Sequence, residues 1–213
     1  MCIRDRVETT LLQKQQNGGI LLGKEHMMFP RTYGLVSSET RTLPKNTAAL
    51  EALCQRYPGK VNVMLVPAAS AIYPENVPAG APLLDEDRYL DSLSDAVQAA
   101  GGRFVDVRQT LTDHKDEYIY YRTDHHWTQL GAYYAYTAFC EAAGFDAVPL
   151  DQFQTGRYDT FLGSMYGFTE GYPQSEVLKQ HPDYLEYYLP IADTHARYYA
   201  NGNLENGTPV SVV

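Results

Sequence analysis

Apolar and polar positions switch between two periods along the chain, and the switches mark its elements. In KVNVMLVP, residues 60–67, Val61, Val63, Leu65 and Val66 surround Met64 in a nearly continuous apolar run. A run without polar alternation predicts a strand buried on both faces, as in a parallel sheet. From about Asp85 to Ala100 the period lengthens. Tyr89, Leu93, Ala96 and Val97 share one helical face, and Gly101-Gly102 stops the helix. The acidic run Asp85-Glu86-Asp87 suits a helix N-terminus, where the dipole favours negative charge. RFVDVR, residues 103–108, predicts a second strand. Strand, helix and strand within about 45 residues make a βαβ unit, whose crossover rule implies parallel pairing.

The same reading extends to both sides. NGGILLGKEHMMF, residues 17–29, predicts two short strands around Gly23-Lys24. Residues 33–45 read as a loop. Asn46 reads as the N-cap of a helix reaching about Tyr57, with Ala49, Leu50, Leu53 and Cys54 on one face. The proline-rich stretch after Pro67 lies at the first strand's carboxyl end, where open α/β sheets bind ligands. Residues 109–117 suggest a short helix and EYIYY an extended piece. The helical period returns from Thr128 to Ala143, with Gly131 allowing close approach and Gly144 as the stop. Residues 150–190, rich in Gly, Tyr and Asp, read as irregular with short helical turns.

Composition narrows the class. In 213 residues, 44% are hydrophobic and 20% charged, which supports a packed core rather than disorder. The net charge of −9, with no basic run, argues against nucleic acid as a partner. Cys54 and Cys140 sit in helical patterns and read as small buried hydrophobes rather than a disulfide framework. No apolar run reaches the ~20 residues of a membrane span. MCIRDR, residues 1–6, resembles a translated sequencing adaptor and is set apart from one partial domain over 7–213. The closing NGTPVSVV reads as a strand cut short, so the chain reads as an internal fragment of a longer protein.

The densest chemistry lies in YYRTDHHWTQLGAYYAY, residues 120–136. An Asp two residues before a His can put both side chains on one side of a bending segment. Asp124 and His126 would then form the base half of a nucleophilic triad, the carboxylate orienting the imidazole and the far ring nitrogen taking a serine proton. His125 would point away, and Trp127 would stiffen the loop.

This stretch resembles the signature of the DHHW proteins, found mostly in Firmicutes, and NGGILLGKE, VMLVPAASAIYPENVP and DTFLGSMYG follow in that family's order. DHHW proteins resemble SGNH-type hydrolases, and their DHHWT is similar to the D-x-H-W-T element of the alginate O-acetyltransferases. The resemblance implies a three-layer α/β/α, flavodoxin-like parallel sheet, incomplete at the C-terminus. It implies an exported protein, held at a membrane only through an anchor outside these residues. The implied activity is acyl-ester hydrolysis or O-acetyl transfer on a surface polysaccharide or other glycan, with no cofactor and the acyl donor left open. Carried over, the base pair is Asp124 and His126. The relatives' nucleophile lies in a G-D-S or K-D-S element after the D-x-H element. Here the one Asp-Ser pair, Asp91-Ser92, falls inside an amphipathic helix pattern. The expectation is a nucleophile beyond Val213 and an inactive fragment.

Other roles compete for these residues. Ser70, after the buried strand, and Ser164, in the Leu-Gly-Ser-Met-Tyr-Gly loop, are alternative nucleophiles or substrate contacts. Tyr118, Tyr120 and Tyr121 could form a sugar platform, while Tyr133, Tyr134 and Tyr136 would pack against the sheet. Arg122 is a salt-bridge former or a substrate contact, and His125 and Trp127 are further contact candidates. His181 and His195 read as surface residues. Asp124, His125 and His126 could instead bind a metal, with Asp106, Asp113 and His114 nearby in sequence. Asp124 could also merely cap the following helix. A non-catalytic glycan-binding or scaffold module is the remaining alternative.

Overall fold

The computed structural model describes residues 16–32, 36–81, 83–189, 191, 196–198 and 208–210. The segment read as two strands is an antiparallel sheet in which β2 (Ile20–Leu22) lies between β1 (Gln16–Asn17) and β3 (Met28–Pro30). Helix α1 then runs Val36–Arg56, with Pro44 inside it. The expected loop at 33–45 is therefore helical from residue 36. An interior proline forfeits one backbone hydrogen bond and crowds the carbonyl four residues back, but the turns on either side can carry that cost. Of the face expected there, Cys54 is fully buried and Leu53 is 44% exposed.

The βαβ unit forms as expected. Strand β4 (Asn62–Met64) pairs in parallel with β5 (Arg103–Val105), Val63 opposite Phe104. Between them lie a single-turn helix, α2 (Ala69–Ile72), and the long helix α3 (Glu86–Ala99). Asp85 caps α3 by accepting from the Arg88 N–H. Leu93 and Val97 of α3 close over Val63 and Cys54. The sheet is smaller than the apolar run predicted. Asn62 is exposed, Met64 half-buried and Val66 38% exposed, so this strand is not covered on both faces.

After β5 come α4 (Arg108–Asp113) and α5 (Gln129–Ala143). Val105, Val107, Leu111, Ile119, Tyr120 and Ala135 from this half meet Phe29, Ala69 and Ile72 in the main core. Residues 150–190 are not irregular. Strands β6 (Gln154–Phe161) and β7 (Asp183–Leu189) form an antiparallel pair with an irregularity between Tyr158 and Phe161. Two short helices, α6 (Ser164–Thr169) and α7 (Pro173–Glu176), link them. A last pair, β8 (Ala196–Tyr198) and β9 (Thr208–Val210), is also antiparallel. The architecture is mixed α/β. Among the described residues β4–β5 is the parallel pair and the other sheets are antiparallel, so a wide three-layer parallel sheet is not formed. No helix among them is long and apolar enough to cross a membrane. His195 lies outside the described residues.

Candidate functional site

The site is a tight loop closed at its base. Tyr120 and Trp127 form an antiparallel bridge. Below it the Tyr121 N–H donates to the His126 carbonyl, and the Thr128 N–H to the Ile119 carbonyl. Thr128 ends the loop and caps α5, its hydroxyl accepting from the Gly131 N–H at 3.2 Å. A side chain at Gly131 would bring its Cβ within 2.4 Å of the Ile119 carbonyl oxygen, so glycine lets the helix start against the loop. Asp124 is thus not the cap, and its carboxylate is free for other bonds.

Those bonds converge from two sides. Asp124 Oδ1 accepts from His126 Nδ1 at 2.6 Å and from the His126 backbone N–H at 3.1 Å. Oδ2 accepts from the Ser164 N–H and the Ser164 hydroxyl, both at 2.8 Å. Burial pushes this carboxyl up. The Ser164 and His126 hydrogen bonds outweigh it and hold the group at about 2, below its ordinary 3.8. Asp124 is therefore a carboxylate at neutral pH and can only accept, so His126 Nδ1 carries the hydrogen of this bond. In the neutral ring Nε2 then bears the lone pair. The His126 side chain is 65% exposed, whereas that of Asp124 is 9% exposed.

A second carboxylate, which sequence reasoning missed, holds the loop from behind. Asp183 at the start of β7 is fully buried. It accepts from the Tyr118 hydroxyl, the Arg122 backbone and Nε, and the Thr123 backbone and hydroxyl, at 2.6 to 3.2 Å. The Thr123 hydroxyl in turn accepts from the Gly163 N–H at 2.9 Å. A Cβ at Gly163 would lie 2.3 Å from the Asp124 Cβ. The carbonyls of Arg122 and Thr123 accept from the backbones of Met28 and Tyr166. The Arg-Thr-Asp run is thereby tied to β3, α6 and β7.

The other candidates separate. Arg122 is a salt-bridge former: it pairs with Asp183 and donates to the carbonyls of His181 and Pro182. Tyr120 and Tyr121 are buried, contrary to an exposed platform. The Tyr120 hydroxyl donates to the Pro67 carbonyl and that of Tyr121 to Gln129. Ser164 meets the site through Asp124, and its hydroxyl also lies 3.1 Å from His125 Nδ1. Ser70 is buried in α2 and lines a different cavity, with Pro74, Leu84 and Glu86. Among the described residues, no serine hydroxyl is hydrogen-bonded to His126. His181 is exposed, as expected, and stacks on His26. Tyr133 and Tyr136 bond the backbone of Val148 rather than packing on a parallel sheet, and Tyr134 stacks on His114.

Two open cavities flank the exposed imidazole. One, of about 360 Å³, is lined by Tyr121, Trp127, Gln129, Phe161 and Leu185 beside Asp124 and His126. The other, of about 390 Å³, lies toward β4, with Val66, Pro67, Ala68, Glu86 and both histidines. Glu86 accepts from the Ala68 N–H, and burial raises its carboxyl against that bond. Asp124, His125 and His126 also offer ligand atoms within 4.8 Å of one another, a candidate cation cluster. The residues expected to extend it are engaged elsewhere: Asp106 binds Arg108, Asp113 accepts from Gln109, and His114 contacts the Thr110 carbonyl.

The DHHW protein family model matches residues 51–206. A DHHW family protein from Eubacterium siraeum is similar at TM-score 0.66 and 31% identity, covering 86% of this chain and 58% of its own length. The O-acetyltransferase domain of Pseudomonas putida AlgJ is similar at TM-score 0.63 and 20% identity, over 81% of this chain and 66% of its own. Pseudomonas aeruginosa AlgX is similar at TM-score 0.53 and 20% identity, over 89% of this chain and 48% of its own. The likeness to AlgJ and AlgX is one of fold. The chain spans less than two thirds of the first of these proteins. No curated protein matches it.

Proposed function

The chain belongs to the DHHW family, and from that premise we infer that Asp124 and His126 are the base half of an acyl-transfer site acting on glycan esters. The observation that carries this reading is the 2.6 Å contact between Asp124 Oδ1 and His126 Nδ1, made by an imidazole side chain that is 65% exposed. Nε2 takes the proton of an attacking serine hydroxyl as its oxygen bonds to the ester carbonyl carbon. The same proton then passes to the leaving sugar oxygen as that carbon–oxygen bond breaks. Asp124 stabilises the imidazolium between the two steps. Water completes hydrolysis, or a second sugar hydroxyl completes transfer. The serine in this reading lies outside the 213 residues, on an SGNH-like sheet that the intact protein completes, and the chain alone is inactive. Its setting is extracytoplasmic, and its substrate a surface or secreted polysaccharide. Support comes from the likeness of fold to an O-acetyltransferase domain and to AlgX.

The test is aryl-acetate and acetylated-glycan hydrolysis by the protein carried to the end of its reading frame. His126→Ala should lower kcat by about 10²- to 10⁴-fold. Full activity in that variant would end the reading, and inactivity of the intact wild type on every ester would favour a binding module. The clustering of Asp124, His125 and His126 favours a second reading, a metal-dependent hydrolase. Stoichiometric zinc or manganese in purified protein, lost in His125→Ala, would select it, because the triad reading does not use His125.

A further inference from the structure

The cavity beside His126 does not end at the Asp124–His126 pair. Gln129 and Ala132 of α5 belong to it and also line a neighbouring cavity of about 260 Å³, whose other walls are Tyr133, Tyr136, Phe153 and Tyr188. Gln129, Ala132, Tyr133 and Tyr136 stand at i, i+3, i+4 and i+7. They share one helix face over about 10 Å of axis, roughly the reach of two linked sugar units. The rest of the lining comes from the β6–β7 pair and the residue before it: Phe161 and Leu185 near His126, then Phe153, packed edge-to-face on Tyr133, and Tyr188 farther along.

The chemistry of these walls is uniform. The Tyr133 hydroxyl donates to the Val148 carbonyl, and that of Tyr136 accepts from the Val148 N–H. Both rings are half-buried, with their polar ends tied to backbone. A pyranose has one face of C–H groups that stacks on such rings while its hydroxyls stay wet. Among the described residues neither cavity is lined by Lys or Arg, and the ionisable side chains other than tyrosine are Asp124 and His126. A uronate chain would bring a carboxylate per sugar into walls with no countercharge, on a chain of net charge −9.

Building on the ester reading of His126, we propose that these two cavities form one groove for a neutral polysaccharide, with at least two sugar units seated along α5 to one side of the reacting ester. The groove selects an uncharged chain over a polyuronate, and chain length over a single sugar.

Titration calorimetry on the full 213-residue chain tests this. Probes are the dimers and hexamers of β-linked glucose, mannose, xylose and N-acetylglucosamine, with hexaguluronate as the charged comparator. At least one neutral hexamer should bind five-fold or more tightly than its dimer and than hexaguluronate. Tyr188→Ala and Phe153→Ala, each checked for native circular dichroism, should remove that length advantage, and Tyr188→Lys should shift preference toward hexaguluronate. Tighter binding of hexaguluronate than of every neutral hexamer, binding of no neutral hexamer, or a length advantage unchanged in both alanine variants would overturn the proposal. Aryl-acetate hydrolysis by the intact protein separates the two readings. Lost catalysis in His126→Ala with no neutral-hexamer binding rejects the groove alone. Length-dependent binding with esterase activity indifferent to His126 supports the groove and rejects the triad.

Discussion

Replacing Asp183 by Asn removes one charge and changes no shape, yet it should unseat the loop that carries Asp124 and His126. The buried carboxylate has donors on both oxygens. Oδ1 receives the Tyr118 hydroxyl and Arg122 Nε, and Oδ2 the Thr123 backbone and hydroxyl, while the Arg122 backbone lies within reach of both. An asparagine offers one acceptor and one NH2. Either orientation of the amide turns its NH2 toward at least two donors and leaves Arg122 without its countercharge. Each buried donor so orphaned costs about 1–3 kcal/mol, and breaking a buried ion pair costs about 3–5 kcal/mol. The estimates overlap because they count the same lost contacts, so the lower bound is about 3 kcal/mol. At about 2–4 °C per kcal/mol for a chain of this size, Tm should fall by at least about 6 °C. Calorimetric melting measures this. A proton spectrum should also show loss of the low-field imidazole N–H resonance from the His126–Asp124 bond at temperatures where the variant remains folded. A Tm within about 2 °C of wild type would mean that Asp183 does not hold the loop.

Asp124 has a pH signature. Its folded-state pKa of about 2 lies below the ordinary 3.8, so its contribution to stability is fully present above pH 4. The contribution is lost as pH falls from near 4 through 2, because the unfolded chain takes up the proton first. Denaturant melts across that window should show Asp124→Asn losing less stability than wild type, and parallel curves would contradict the assignment. Gly163→Ala acts sterically, since its φ of −79° suits any residue but its new Cβ would meet Asp124 Cβ at 2.3 Å. Overpacking of this kind costs about 1–3 kcal/mol. It should disturb the His126 N–H resonance even where the fold survives, and an unchanged resonance would mean that the α6 turn yields instead.

What could be read in the sequence was what lies close in sequence. Asp124 and His126 are two residues apart, and the helix behind them announces itself by its period from Thr128 and by Gly131 and Gly144, although its cap is Thr128 rather than Asp124. The βαβ unit was legible for the same reason, because each of its elements carries its own period and stop. Asp183 was not legible. It is one of 26 acidic residues, and nothing around it signals that it is fully buried, since its donors lie about sixty positions upstream. The strand it heads and that strand's partner β6 were missed because both their faces are partly exposed, so tyrosines fall on either side and no apolar alternation appears. Ser164 was noticed for its hydroxyl as a nucleophile or substrate contact, and that hydroxyl donates to the Asp124 carboxylate. The local pattern cannot say whether a loop serine faces an imidazole or the carboxylate beside it.

The exposure of the two partners explains why the support is so extensive. An imidazole that is 65% exposed has little to hold its plane beyond the His125 ring, which lies 3.9 Å away rather than pointing off, and the acceptor at Nδ1. That acceptor is useful only if it cannot follow the ring, and Asp124 cannot, because its second oxygen is bound twice by Ser164 while Gly163 lies against its Cβ. Gly163 is fixed in turn by the Thr123 hydroxyl, whose own hydrogen goes to Asp183. Rigidity therefore runs from a fully buried carboxylate through one hydroxyl and one glycine to a solvent-exposed imidazole. Orientation is built in during folding, when it costs no substrate binding energy, and the exposed imidazole lines both cavities.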